Sequence, residues 1–312
     1  MKRRDLILAL LVVIVWGTNF TVIKLGLSEV SPMLLAALRY TFTAIPAIAF
    51  VKRPSVEWKY IAAYGMTVGV GQFSCLFYAI DIGMPAGVSS VILQAQAFFT
   101  LIFAAMLLKE FLKKSQVVGL LVAGVGLYLI SGNFMSSNLP SIPIEAFLLT
   151  LLAAAFWGIS NIIVRYASKQ AAYQGKTLDM FSMVVWSSLV PPLPLLAIAL
   201  LLDTPGTLLH EISNLNIVSM FSVAYIAICA TLFGYGIWST LLTKYRTSKI
   251  APLSLLVPVT GLITSQIVLN EHLSIVQWLG CIVIILGLVI SNNFRPNTGV
   301  LNRSSAKKVD NI

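Results

Sequence analysis

The chain has 312 residues, of which 58% are hydrophobic and only 10% charged, and its mean hydropathy is +0.91. Soluble domains carry about 25% charged residues, so composition excludes a soluble enzyme, a disordered protein and a nucleic-acid-binding domain. The net charge of +10 would serve a polyanion only if the Lys and Arg shared one face, whereas they fall in short clusters between apolar stretches. Cys75, Cys229 and Cys281 all lie in apolar segments, and an odd number of thiols without C-x-x-C excludes a disulfide framework and a zinc site.

A bilayer core of about 30 Å asks for roughly 20 apolar residues. Ten such spans are predicted, at 6–25, 32–51, 59–80, 86–108, 116–132, 144–165, 179–202, 217–242, 251–269 and 275–292. The first follows Met1-Lys2-Arg3-Arg4 but is too long for a signal peptide and has no small-residue cleavage site, so it reads as a retained helix. Basic residues fall in alternate connections: Lys52, Arg53 and Lys59; Lys109, Lys113 and Lys114; Arg165, Lys169 and Lys176; Lys244, Arg246 and Lys249; and the tail with Arg295, Arg303, Lys307 and Lys308. The other connections hold Asp81, Asp203, Glu211, His210 and His272. By the positive-inside rule both termini are cytoplasmic. The expected fold is thus an all-α polytopic membrane protein, with no connection long enough to form a soluble domain.

The chain also repeats itself. A shift of 161 sets Leu108, Glu110, Leu112, Gln116, Gly119 and Gly126 on Leu269, Glu271, Leu273, Gln277, Gly280 and Gly287. A shift of 141 sets Trp16-Gly17 on Trp157-Gly158 and Lys24 on Arg165. Each half holds five spans, an odd number, so the second half is inverted relative to the first. The expected units are residues 5–133 and 143–293, followed by a polar basic cytoplasmic tail at 294–312. Inverted repeats around a pseudo-two-fold axis are a transporter architecture, with the substrate site between the halves.

Trp16-Gly17-Thr18-Asn19 with Lys24, Arg39, and the Glu110–Gln116–Gly119–Gly126 pattern repeated from Glu271 resemble the two domains of the EamA family, in the drug/metabolite transporter superfamily. More specifically, Gly83-Met84-Pro85-Ala86-Gly87 leading into 94–100, and 234–238 followed by 251–258, are similar to bacterial exporters of cysteine and O-acetylserine. The resemblance implies alternating-access efflux of small neutral amino-acid metabolites across a bacterial inner membrane, through a central cavity. The architecture fixes no direction, so uptake or exchange of another metabolite is the alternative. With no G-x-S-x-G, no H-E-x-x-H and both histidines in loops, an intramembrane enzyme has no machinery, and a non-transporting scaffold has no need of inverted halves. No cofactor or metal motif is present.

Candidate substrate contacts follow from polar groups at membrane depth. Arg39 is the one full charge well inside a span, about eight residues or 12 Å deep. At about 2.5–3.5 kcal/mol for insertion, it needs a wet cavity or a partner, and either a substrate carboxylate or a structural bond would serve. The amides Asn19, Gln72, Gln94, Gln96 and Asn161 suit a small zwitterionic metabolite, or serve as interhelical glue. Gln94 and Gln96 point about 200° apart on an α-helix, so both reach a cavity only if the helix is irregular. Trp16, Trp157, Trp186, Tyr78, Tyr235 and Trp238 lie within spans, away from the interfaces that aromatics favour, and either wall a pocket or pack. Gly119/Gly126 and Gly280/Gly287 predict close contact, with spans five and ten packed on each other or forming a homodimer face. Pro46, Pro191, Pro192, Pro194 and Pro258 are expected to kink their spans, either as hinges for alternating access or as static bends. No acidic residue lies deep in a span, which argues against a proton-coupled exporter of lipophilic cations.

Overall fold

The computed structural model describes residues 1–130, 142–245 and 247–292, so the tail expected at 294–312 and the middle of the 132–143 connection lie outside the described residues. Among them the chain is all helix and turn, without strands. The helices are α1 (Arg3–Leu27), α2 (Pro32–Ile48), α3 (58–81), α4 (Ala86–Leu108), α5 (Lys114–Ile130), α6 (Ile144–Tyr173), α7 (Met180–Ser187 and Pro192–Leu202), α8 (Pro205–Ser213), α9 (Ile217–Lys244), α10 (247–269) and α11 (Ile275–Asn292). By length and composition five of them can cross a membrane, and six if the two pieces of α7 form one span. Apolar helices of 10–17 residues (Pro32–Ile48, Lys114–Ile130 and Ile275–Ser291) accompany them.

Local chemistry sets the helix starts. The Asp179 carboxylate accepts from Phe181 N and Ser182 N, Thr204 Oγ1 from Thr207 N, and Asn216 Oδ1 from Ser219 N, meeting donors that a helix N-terminus leaves open. Pro191 and Pro192 break α7 with a 41° bend, as loss of helix hydrogen bonds requires. Pro46 falls in the last turn of α2, where it removes one bond near the helix end, and Pro258 in the first turn of α10's α-helical part, where the missing N–H costs none.

The irregularities follow the sequence repeat. A π-helix occupies Gly65–Gln72 in α3 and another Tyr225–Phe233 in α9. A 3-10 stretch occupies Leu93–Ala95 in α4 and Ala251–Leu256 in α10. Both α4 and α10 end on a left-handed residue, Lys109 (φ 54°) and Asn270 (φ 52°), which are 161 positions apart. Packing repeats likewise. Gly17 of α1 meets Thr260 of α10, whereas Gly158 of α6 meets Phe99 of α4, so the first helix of each half packs on the fourth of the other. The helices of the repeated glycines pack on each other within one chain. A Cβ on Gly119 would come within 2.6 Å of Gly287 O, and one on Gly126 within 2.7 Å of Gly280 O. Small residues here let two helix backbones approach.

The apolar core runs through α1, α2, α3 and the inner faces of α6, α7 and α9. Large apolar side chains such as Ile7, Phe42, Ile45, Leu121 and Ile267 remain exposed, far more than a water-facing surface carries. The bundle has a basic end, with the connections holding Lys52, Lys109, Lys113, Lys169, Lys176 and Lys244, and an acidic end, with Glu29, Asp81, Asp203, Glu211 and Glu271.

Candidate functional site

The helices enclose a central cavity of about 370 Å³, bordered by residues of α1–α4, α6, α7, α9 and α10. This volume lies in the range of small-molecule sites. Val164, Met180, Leu242 and Ser254 carry its wall toward the basic end. Toward the acidic end, α4 and α10 meet: Ser90 Oγ lies 3.4 Å from Pro258 O, and Thr21 Oγ1 of α1 lies 3.2 Å from Thr264 Oγ1.

Arg39 is the single charged side chain in the cavity wall, and it is 4% exposed. α2 delivers it against α3 and α9. Its guanidinium lies 3.7 Å from the centre of the Phe73 ring and 5.0 Å from that of Tyr40, and Nη2 donates to Thr231 Oγ1 at 3.2 Å. Thr231 is oriented in turn by donating to Ile226 O, five residues back, a spacing created by the π-helix. These contacts offset part of the cost of burying the charge: a desolvated cation–π pair contributes about 2 kcal/mol. Arg39 Nε and Nη1 nevertheless have no protein partner. The cation is therefore held in place with hydrogen-bonding capacity left over.

Two amides are in the same condition. Asn19 is 8% and Gln72 3% exposed, Asn19 Oδ1 and Gln72 Oε1 have no partner, and both residues border the same cavity as Arg39. Gln94 and Gln96 both reach it, because the 3-10 turn at Leu93–Ala95 changes the angular step between them. Gln96 and Asn161 are joined instead to each other: Asn161 Nδ2 donates to Gln96 Oε1 at 2.8 Å and to Thr100 Oγ1 at 2.9 Å. That pair fixes α4 to α6.

Trp16, Tyr235 and Trp238 form one aromatic wall, with Trp16 centred 5.4 Å from Tyr235 and 5.2 Å from Trp238. Trp16 Nε1 donates to Ala230 O, within the π-helical stretch of α9. Trp157 borders the cavity from α6. The structure does not bring the remaining two aromatics there. Tyr78 is 38% exposed and borders a depression at the acidic end with Glu29, Asp81 and Glu211, since α3 ends three residues later. Trp186 donates Nε1 to Val51 O and packs edge-on against Trp58, so it ties α7 to the 49–57 connection.

Sequence reasoning passed over Phe73, Thr231, Tyr64, Ser90 and Met180, which the structure places in or beside this site. Phe73 and Tyr64 read as ordinary apolar positions, and Thr231 as a neutral one. Only the position of Arg39 relative to α3 and α9 gives them meaning. Among the described residues no three His, Cys, Asp or Glu side chains cluster as metal ligands.

Residues 4–132 and 144–293 each match the EamA-like transporter family. The chain belongs to that family. It is 42% identical over 291 residues to a probable amino-acid metabolite efflux pump of Escherichia coli (strain K12), covering 93% of this chain and 95% of that protein. A protein of the same description from Salmonella typhimurium (strain LT2) is 44% identical over 292 residues, with the same coverage. A solved structure only 15% identical superposes with a TM-score of 0.60 over 93% of this chain and 97% of its own, which speaks for the fold alone. The EamA chain is a transporter rather than an enzyme, and a multi-pass membrane protein of bacterial type.

Proposed function

We propose that this EamA protein exports small zwitterionic amino-acid metabolites (cysteine, O-acetylserine or related neutral amino acids) across the bacterial inner membrane by alternating access. α1–α7 and α9–α11 form ten spans in two inverted halves, with both termini on the cytoplasmic side. The relatives described as amino-acid metabolite efflux pumps support the substrate class and direction. The observation that carries the reading is the pairing of unmet groups in one cavity. Arg39 offers two unpartnered guanidinium nitrogens, and Asn19 and Gln72 offer unpartnered carbonyl oxygens. A zwitterion satisfies both sets at once: its carboxylate bonds Arg39 and its ammonium bonds the amides. The aromatic wall of Trp16, Tyr235 and Trp238 then receives a side chain without demanding a particular one. A lipophilic cation finds no carboxylate among the cavity residues and faces the Arg39 charge, so it is rejected.

In cells engineered to overproduce cysteine and O-acetylserine, expression of the protein raises their extracellular accumulation, and an Arg39→Ala variant present at the same membrane level does not. Equal accumulation with and without the protein would reject export of this class.

A further inference from the structure

The acidic end of the bundle is closed by a contact that the candidate site does not use. Glu271, at the α10–α11 turn, accepts the backbone N–H of Ala86 at 2.7 Å and of Gly87 at 3.1 Å, where α4 begins. At the same end Lys24 Nζ donates to Ile80 O at 2.9 Å. Below the carboxylate α4 and α10 cross so closely that a Cβ on Gly87 would lie 2.2 Å from Ser265 Oγ, and one on Gly261 2.5 Å from Ser90 Oγ. Only small residues permit this crossing, and it is made by Ala86, Gly87, Ser90, Gly261 and Ser265.

The repeat places a twin of this turn at the basic end. Glu110 follows left-handed Lys109 as Glu271 follows left-handed Asn270. Glu110 N donates to Ala104 O and Glu271 N to Ser265 O. Lys113 N donates to Gln116 Oε1 and Ser274 N to Gln277 Oε1. The turns are built alike, yet their carboxylates hold different partners. Glu110 pairs with Arg165 Nη1 at 2.9 Å, and Arg165 is the repeat counterpart of Lys24. The counterparts of Ala86 and Gly87 are Thr247 and Ser248, where α10 begins. The counterparts of Ser90, Gly261 and Ser265 are Ala251, Thr100 and Ala104. All five are small as well, although at that end α4 packs on α6, through Phe99 and Thr100 against Gly158. Small residues reserved for a crossing that this arrangement does not make are explained by a second arrangement that makes it.

We infer that Glu110 and Glu271 are reciprocal latches of the two ends. In the oppositely opened state Glu110 releases Arg165 and accepts the backbone N–H groups of Thr247 and Ser248, while Glu271 releases α4 and pairs with Lys24. Each state then has one carboxylate on a helix N-terminus, where the helix dipole favours it, and one in an exposed ion pair of small worth. The exchange leaves the two states close in energy, as a transporter needs if a weakly held substrate is to shift their populations. This inference rests on the alternating-access reading and names the groups that set its equilibrium.

The test is labelling of a Thr264→Cys reporter, half-buried in the acidic-end contact beside Thr21, by a membrane-impermeant maleimide outside spheroplasts, with reporter-free protein as blank. Glu271→Gln raises the labelling rate about fivefold, the shift expected from loss of one helix cap. Glu110→Gln lowers it, and the double variant returns it to near the parent rate. No rise in Glu271→Gln, a shift of both single variants in one direction, or a double variant no closer to the parent would overturn the inference. Should Glu271→Gln not accumulate, the fall in Glu110→Gln decides alone. Labelling needs no substrate. Loss of counterflow in wild-type proteoliposomes with labelling shifts intact would therefore reject the substrate reading and leave the latches standing, whereas normal counterflow with unshifted labelling would reject the latches alone.

Discussion

Arg39 carries a charge where a bilayer protein tolerates it least, and its surroundings solve half of the problem. Phe73 and Tyr40 supply ring faces and Thr231 one hydroxyl, while Nε and Nη1 have no hydrogen-bond partner. An ammonium on a flexible stem keeps the charge but cannot present a planar fork while lying on a ring. Arg39→Lys is therefore expected to raise the half-saturating substrate concentration roughly tenfold, the equivalent of one charge-assisted hydrogen bond, with unchanged membrane insertion. Uptake kinetics in proteoliposomes check this, and unchanged kinetics would remove Arg39 from the site. The sequence marked Arg39, Asn19 and Gln72 because polar groups at membrane depth need a reason. It could not show that Gln96 and Asn161 satisfy each other, or that Tyr78 and Trp186 turn away from the cavity. Those outcomes depend on which helices become neighbours.

At the scale of elements, the repeat was readable wherever the chemistry of single residues enforces it. Paired glycines marked α5 and α11 for close contact, with each other or with a second copy, and Pro191-Pro192 marked the break in α7. The π-helices at Gly65–Gln72 and Tyr225–Phe233 left no such mark, because an i→i+5 ladder is chosen by packing rather than by propensity. The second of them carries two local contacts: Ala230 O accepts from Trp16, and Thr231 lies under Arg39. The glycine contact makes a sharp prediction. A side chain at Gly126 would meet Gly280 O and Ile284, whereas Gly124, on the same helix, has nothing within 4 Å. Gly126→Leu should cost about 1–3 kcal/mol by overpacking and lower the melting temperature in detergent, while Gly124→Leu leaves it unchanged. Equal effects would mean that the α5–α11 interface is not where this stability resides.

The whole molecule is asymmetric in a way its sequence is not. Two halves that share a repeat, related by a shift of 161 through their last three spans, hold α4 on α10 at the acidic end and α4 on α6 at the basic end, with one cavity reaching toward the basic side. A sequence repeat cannot reveal which of two equivalent crossings is made, since the residues suit both. The central claim is that this cavity carries zwitterionic amino-acid metabolites, and counterflow in proteoliposomes of the purified protein tests it most directly. Radiolabelled cysteine under reducing conditions should exchange saturably. O-acetylserine should suppress that exchange; the corresponding amine without a carboxylate, the acid without an ammonium and a lipophilic cation should not. No saturable exchange by folded protein, or equal suppression by the amine and the amino acid, would contradict the account.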